Sequence, residues 1–146
     1  MPVYDESYLD DAMNNLGGMF DYAVNDCGIV LSDIYDYFNS SGVAEAYAIG
    51  HPKYIAGLSG PELASEVLYR TFNKRPETPP SINYDKSPEY WTGWILAYYQ
   101  WLREYNFIEM QKNGLTVEHV FSLYETLHEA DVSKFVSIAD KIMNKK

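Results

Sequence analysis

Residues 87–101, SPEYWTGWILAYYQW, carry the plainest architectural signal in the chain. Ser87-Pro88-Glu89 is a helix start. Ser is a preferred N-cap, Pro is tolerated in the first turn because its missing N–H is an orphan there anyway, and Glu suits the positive end of the helix dipole. Trp91, Trp94, Tyr98, Trp101 and Tyr105 then recur at alternating three- and four-residue spacing, so one stripe of the helix is aromatic throughout. Ile95, Tyr99 and Leu102 widen it. A helix apolar on most sides belongs at the centre of a bundle, packed by several neighbours. The stripe is therefore read as core; any part that reached the surface would supply Trp and Tyr interface anchors.

The same helical period extends in both directions. Leu9, Ala12, Met13, Leu16, Phe20, Ala23 and Val24 form one apolar stripe, with Asp10, Asp11, Asn14, Asp21 and Asn25 on the other side. Gly17-Gly18 lies inside this helix, where each Gly costs about 1 kcal/mol relative to Ala. The pair marks a close helix contact or a break between two shorter helices. Ser32 is expected to cap a second helix reaching Asn39, with Asp33 and Asp36 toward water. A short Ala-rich segment, residues 43–49, follows the Ser40-Ser41-Gly42 turn. Residues 51–58 read as a loop. Ser59-Gly60-Pro61-Glu62 is a capping box with Pro in the first turn, opening a helix that buries Leu63, Val67, Leu68 and Phe72. Beyond the central helix come short helices near residues 107–112 and 117–124. A last amphipathic helix carries Val132, Phe135, Val136, Ala139, Ile142 and Met143.

These elements predict an all-α fold, a single domain over residues 1–146. It is a bundle of about six to seven helices around the aromatic-rich one. The connection at residues 73–88 holds four of the seven prolines and should be extended. A chain of 146 residues buries roughly 70% of the surface its unfolded form exposes. No apolar run approaches the length of a membrane span; the longest is residues 94–99. The start of the sequence does not resemble a signal peptide. One cysteine, Cys27, forms no internal disulfide, which suits a reducing compartment. A cytoplasmic protein without membrane contact is expected.

Charge is divided unevenly. Residues 1–66 hold eleven Asp/Glu and one basic residue, Lys53, whereas residues 67–146 hold ten of each sign. Such a field repels nucleic acid and anionic membrane and draws in basic partners. Asn113-Gly114-Leu115-Thr116 between two short helices has the layout of a helix-turn-helix. Residues 116–128 nevertheless lack Lys and Arg and carry Glu118 and Glu125, so direct nucleic-acid binding is not expected. Cys27 has only Asp26 nearby, which does not favour a thiolate. His51, His119 and His128 show no ligand spacing, and no phosphate-binding loop or nucleophile elbow is present. No cofactor, metal or catalytic residue is assigned.

Three functional readings follow. The first is a non-enzymatic protein-interaction module whose acidic helices are expected to meet a basic protein partner through Asp10, Asp11, Asp21, Tyr22, Asp33 and Asp36. The second is a nucleic-acid mimic, whose carboxylates imitate a row of phosphates. The third is an anion binder or enzyme centred on His51, Lys53, Tyr54, Ser59 and Gly60, where a cation sits beside a helix N-terminus. Under that reading Glu62 would compete for the site.

Four stretches carry a resemblance: residues 20–28 (FDYAVNDCG), 50–67 (GHPKYIAGLSGPELASEV), 87–101 (SPEYWTGWILAYYQW) and 123–135 (LYETLHEADVSKF). Through them the chain resembles a family of small, acidic, uncharacterised bacterial proteins. That family is similar in setting to antitoxin-like proteins, being encoded beside an ADP-ribosyltransferase-like protein. The resemblance implies binding and restraint of a neighbour-encoded enzyme; it assigns no functional residues.

Overall fold

In the computed structural model, which describes residues 2–82 and 85–144, the Ser87 start opens helix α5, Pro88–Arg103, and the Ser87 hydroxyl accepts from the Tyr90 N–H. Helix α1, Leu9–Asp21, makes its longest contact with α5 and its next with α4, Gly60–Phe72. Glycines make that approach possible. A β-carbon at Gly93 would lie 2.6 Å from the Leu16 carbonyl oxygen and 2.9 Å from the Gly17 Cα. One at Gly60 would lie 2.6 Å from the Gly18 Cα. One at Gly17 would meet the Tyr90 carbonyl oxygen at 2.7 Å. Gly17-Gly18 is thus a pair of close contacts, one to each neighbour, and α1 runs through it unbroken.

The remaining elements wrap this three-helix centre. Helix α1 continues into a π-helical turn, Tyr22–Asp26, and Gly28 then turns the chain with φ of 71°. Helices α2, Leu31–Ser40, and α3, Val43–Ala48, follow. After α5 come α6, Phe107–Lys112, α7, Val117–Ser122, α8, Tyr124–Leu127, and α9, Val132–Met143. Among the described residues there are nine α-helices and no strand, so the fold is all-α as expected, with more and shorter helices than six or seven. The segment expected as one helix over 117–124 is two, divided at Leu123.

Three local expectations are corrected. Helix α2 begins after Val30 without a side-chain cap, and Ser32 lies inside it. Residues 51–58 are not wholly irregular, because Lys53–Gly57 forms a second π-helical turn. Phe72 is 58% exposed. As the last residue of α4 it packs edge-to-face with Tyr37, at 5.0 Å between ring centres.

An aromatic cluster ties α1, α2, α3 and α6 together. Phe20, Tyr35, Phe38, Tyr47 and Phe107 are buried, with neighbouring ring centres 5.2 to 6.4 Å apart and mostly edge-to-face. Each such pair adds about 0.5–1.5 kcal/mol beyond its burial. Their polar tips find carbonyls: Tyr35 donates to Phe107 and Tyr47 to Ala12. On α5 the deepest side holds Gly93, Leu96, Ala97 and Gln100, whose amide donates to the Ala48 carbonyl. Trp94, Tyr98 and Tyr105 are only half-buried, so the aromatic stripe runs along the margin of the core. Helix α9 is tied to α5 by Asp140, which takes both Arg103 (2.8 Å) and the Tyr99 hydroxyl (2.7 Å).

Replacing Gly93 by Ala sets a β-carbon against backbone, which no rotamer change relieves. Overpacking of this kind costs about 1–3 kcal/mol, against a gain of about 1 from helix propensity. Gly93→Ala should lower urea-unfolding stability by about 2 kcal/mol, whereas exposed Gly57→Ala should change it by less than about 0.5. A second outcome concerns acid. The Arg103 hydrogen bond holds the Asp140 carboxyl below its ordinary value. The tie is therefore complete above the ordinary carboxylate range, about pH 4, and fades as pH falls through the lowered value. Asp140→Asn should be less stable at pH 7 and lose less of its urea midpoint between pH 5 and 2 (roughly the window of) than the parent.

Candidate functional site

The apolar stripe of α1 faces the core, which leaves Asp10 and Asp11 exposed on its outer side; Asp33 and Asp36 stand exposed on α2 for the same reason. Among the described residues these four make no ion pair. The arginines are held elsewhere: Arg70 by Glu66 at 3.1 Å, Arg75 by Glu66 at 3.4 Å, and Arg103 by Asp140.

Two residues assigned to that surface belong to the interior framework instead. Tyr22 is 4% exposed and donates to the Thr78 carbonyl, and burial beside Cys27 pushes its phenol up to about 12. Asp21 is half-buried and accepts from the Ser87 hydroxyl at 2.6 Å and from the Asn25 amide. Together with Asp26, which accepts from both the amide and the hydroxyl of Ser81, they fasten the connection after α4 to the end of α1. Their types and spacing read as a solvated helix face because the partner segment lies more than fifty residues downstream. Cys27 is half-buried.

At the corner of His51, Lys53, Tyr54, Ser59 and Gly60, Tyr54 and Gly60 are buried and the other three are exposed. Ser59 accepts from the Glu62 N–H at 3.3 Å, and the Ser59 N–H donates to the Glu62 carboxylate at 2.9 Å, so the capping box forms. Those bonds hold the Glu62 carboxyl below its ordinary value. An anion approaching this helix end meets a carboxylate already seated there. Gly60 is buried on Gly18. Tyr54 is buried, its hydroxyl accepts from Arg70, and Lys53 and Arg70 lie 5.4 and 5.5 Å from its ring centre. His51 packs 5.1 Å from the same ring and accepts from the Lys53 N–H.

A concavity of about 350 Å³ opens where α1, α5 and α8 meet. Its walls are the rings of Tyr90, Trp91, Trp94 and Tyr124; its rim is Asn14, Lys86 and His128. Trp91 stands edge-on to Tyr124 at 5.9 Å and to Phe135 at 6.1 Å, which fixes the floor. The Tyr90 hydroxyl donates to Asn14 Oδ1 at 2.7 Å, and Lys86 Nζ lies 4.4 Å from the Tyr90 ring centre. His128 stacks on Tyr124 at 4.2 Å with ring planes 13° apart, and its Nδ1 lies 2.7 Å from the Tyr124 carbonyl. The aromatic spacing of α5 pointed to Trp91 and Trp94. Asn14, Lys86, Tyr124 and His128 come from segments with no common motif, and only tertiary packing assembles them.

Among the described residues no helix is long and apolar enough to cross a membrane, and no three His, Cys, Asp or Glu side chains gather to hold a metal ion. Comparison with protein-family models, curated proteins and solved structures finds no match to this chain.

Proposed function

We propose that this chain is a non-enzymatic protein-interaction module that binds a basic protein partner through the outer faces of α1 and α2, in the manner of an antitoxin or immunity-type protein. One observation carries the reading: among the described residues Asp10, Asp11, Asp33 and Asp36 are exposed and make no ion pair, while Arg70, Arg75 and Arg103 are each held by a carboxylate of the same chain. These four charges on the first two helices are thus unneutralised, within a chain of net charge −10. Such a surface accelerates encounter with a cationic partner and repels nucleic acid. The resemblance at residues 50–67, 87–101 and 123–135 supports the antitoxin-type role, and the single cysteine suits a cytoplasmic setting.

Because Tyr22 is buried, the contact set is reduced to the four aspartates and the side chains around them. Replacing Asp10, Asp11, Asp33 and Asp36 together by Lys should leave folding intact, since all four are exposed. In a nuclease-treated lysate the parent should retain a single basic protein at low salt and lose it at high salt. The fourfold variant should capture about tenfold less of it at low salt. Equal capture by both proteins refutes the acidic-face reading, and recovery of many nucleic-acid-binding proteins points instead to mimicry.

A further inference from the structure

We infer that the concavity between α1, α5 and α8 is a binding site for a small planar aromatic carboxylate. The lining is mainly aromatic: Trp94, Tyr90 and Tyr124 are half-buried, beside buried Trp91. Its volume of about 350 Å³ falls within the range of small-molecule sites, roughly 300–1,000 Å³. A single fused ring system with a short polar arm suits that space.

The polar rim selects the arm. Asn14 accepts from the Tyr90 hydroxyl through Oδ1, which leaves its NH₂ to donate. Lys86 has three N–H donors and no acceptor, and among the described residues it makes no ion pair. The Nδ1 of His128 lies 2.7 Å from the Tyr124 carbonyl, which only accepts, and its Nε2 lies 3.7 Å from a Glu129 carboxylate oxygen. Two donors, one of them charged, therefore face a cavity whose remaining lining is aromatic. A carboxylate on a flat ring satisfies both demands at once: the ring stacks, and the anion takes the Lys86 and Asn14 hydrogens. A cationic ligand would compete with Lys86 for the Tyr90 ring. Asn14 shares the outer side of α1 with Asp10 and Asp11, one turn away, but the ligand inferred here does not depend on the partner proposed for that face.

The test is a two-dimensional NMR titration of the ¹⁵N-labelled chain with three probes that share one ring: indole-3-acetate, indole-3-acetamide and tryptamine. The expected result is saturable shifts of the Trp91 and Trp94 indole N–H signals and of amides near residues 86–94 and 124–128. Indole-3-acetate should bind about fivefold more tightly than the amide, as one exposed charge-assisted contact provides, with tryptamine weakest. Lys86→Met, a change at an exposed side chain, should abolish the difference between acetate and amide while keeping ring binding. Trp94→Ala should weaken all three probes; its spectrum without probe shows whether it is folded. The inference is overturned by tryptamine binding most tightly, by an acetate preference that survives Lys86→Met, or by the absence of saturable shifts at the two tryptophans up to about 10 mM, a concentration reaching the weakest useful affinities.

Discussion

The contact on which the rest of this structure depends is backbone against backbone, where α1 meets α5 and α4. Gly93 rests on Leu16 and Gly17, and Gly60 rests on Gly18. With no side chain between them the helices approach closely, and every layer outside is placed by that distance. The aromatic cluster of Phe20, Tyr35, Phe38, Tyr47 and Phe107 closes around one flank of α1; Trp91, Tyr99 and Phe135 close around α5. Glycine lowers helix propensity at each position. Here the loss is offset by dispersion contacts that a β-carbon would prevent.

A core built from so many Tyr and Trp residues must place their polar ends. Several are met by main-chain carbonyls or by a carboxylate, as with Trp101 on the Tyr4 carbonyl and Tyr99 on Asp140. These bonds set how deeply each ring enters. The α5 stripe is buried unevenly: Trp101, bonded to the Tyr4 carbonyl, and Trp91, packed on Tyr124 and Phe135, lie inside, whereas Trp94, Tyr98 and Tyr105 line the boundary. The same arrangement that completes the core leaves ring faces open between α1 and α8.

Signals contained within a few residues were legible from the amino-acid order alone. The Ser59–Glu62 capping box, the Ser87 start of α5 and the outward aspartates of α1 and α2 each follow from local chemistry. What escaped depends on distant partners. Gly17-Gly18 was ambiguous until Gly60 and Gly93 arrived beside it. Tyr22 carries the same local signs as an exposed tyrosine, and its burial is set by Thr78. Phe72 continues the apolar period of α4 yet stays exposed, at the end of the helix beside the Tyr37 ring. The groove behind Trp94 draws on three separate segments and leaves no linear trace.

The pairing of α1 with α5 also governs how the chain reaches this state. Gly93 follows Gly17 by 76 residues, so the central contact closes a long loop before it yields any packing. Helical bundles usually fold fast because neighbours in sequence are neighbours in space. Here the central contact is non-local, and folding should be slow for an all-helical chain of this size. On the ribosome the apolar stripe of α1 waits on the order of 4–15 s for α5 to be synthesised. During that interval its water-facing aspartates keep the nascent segment from associating with its own copies.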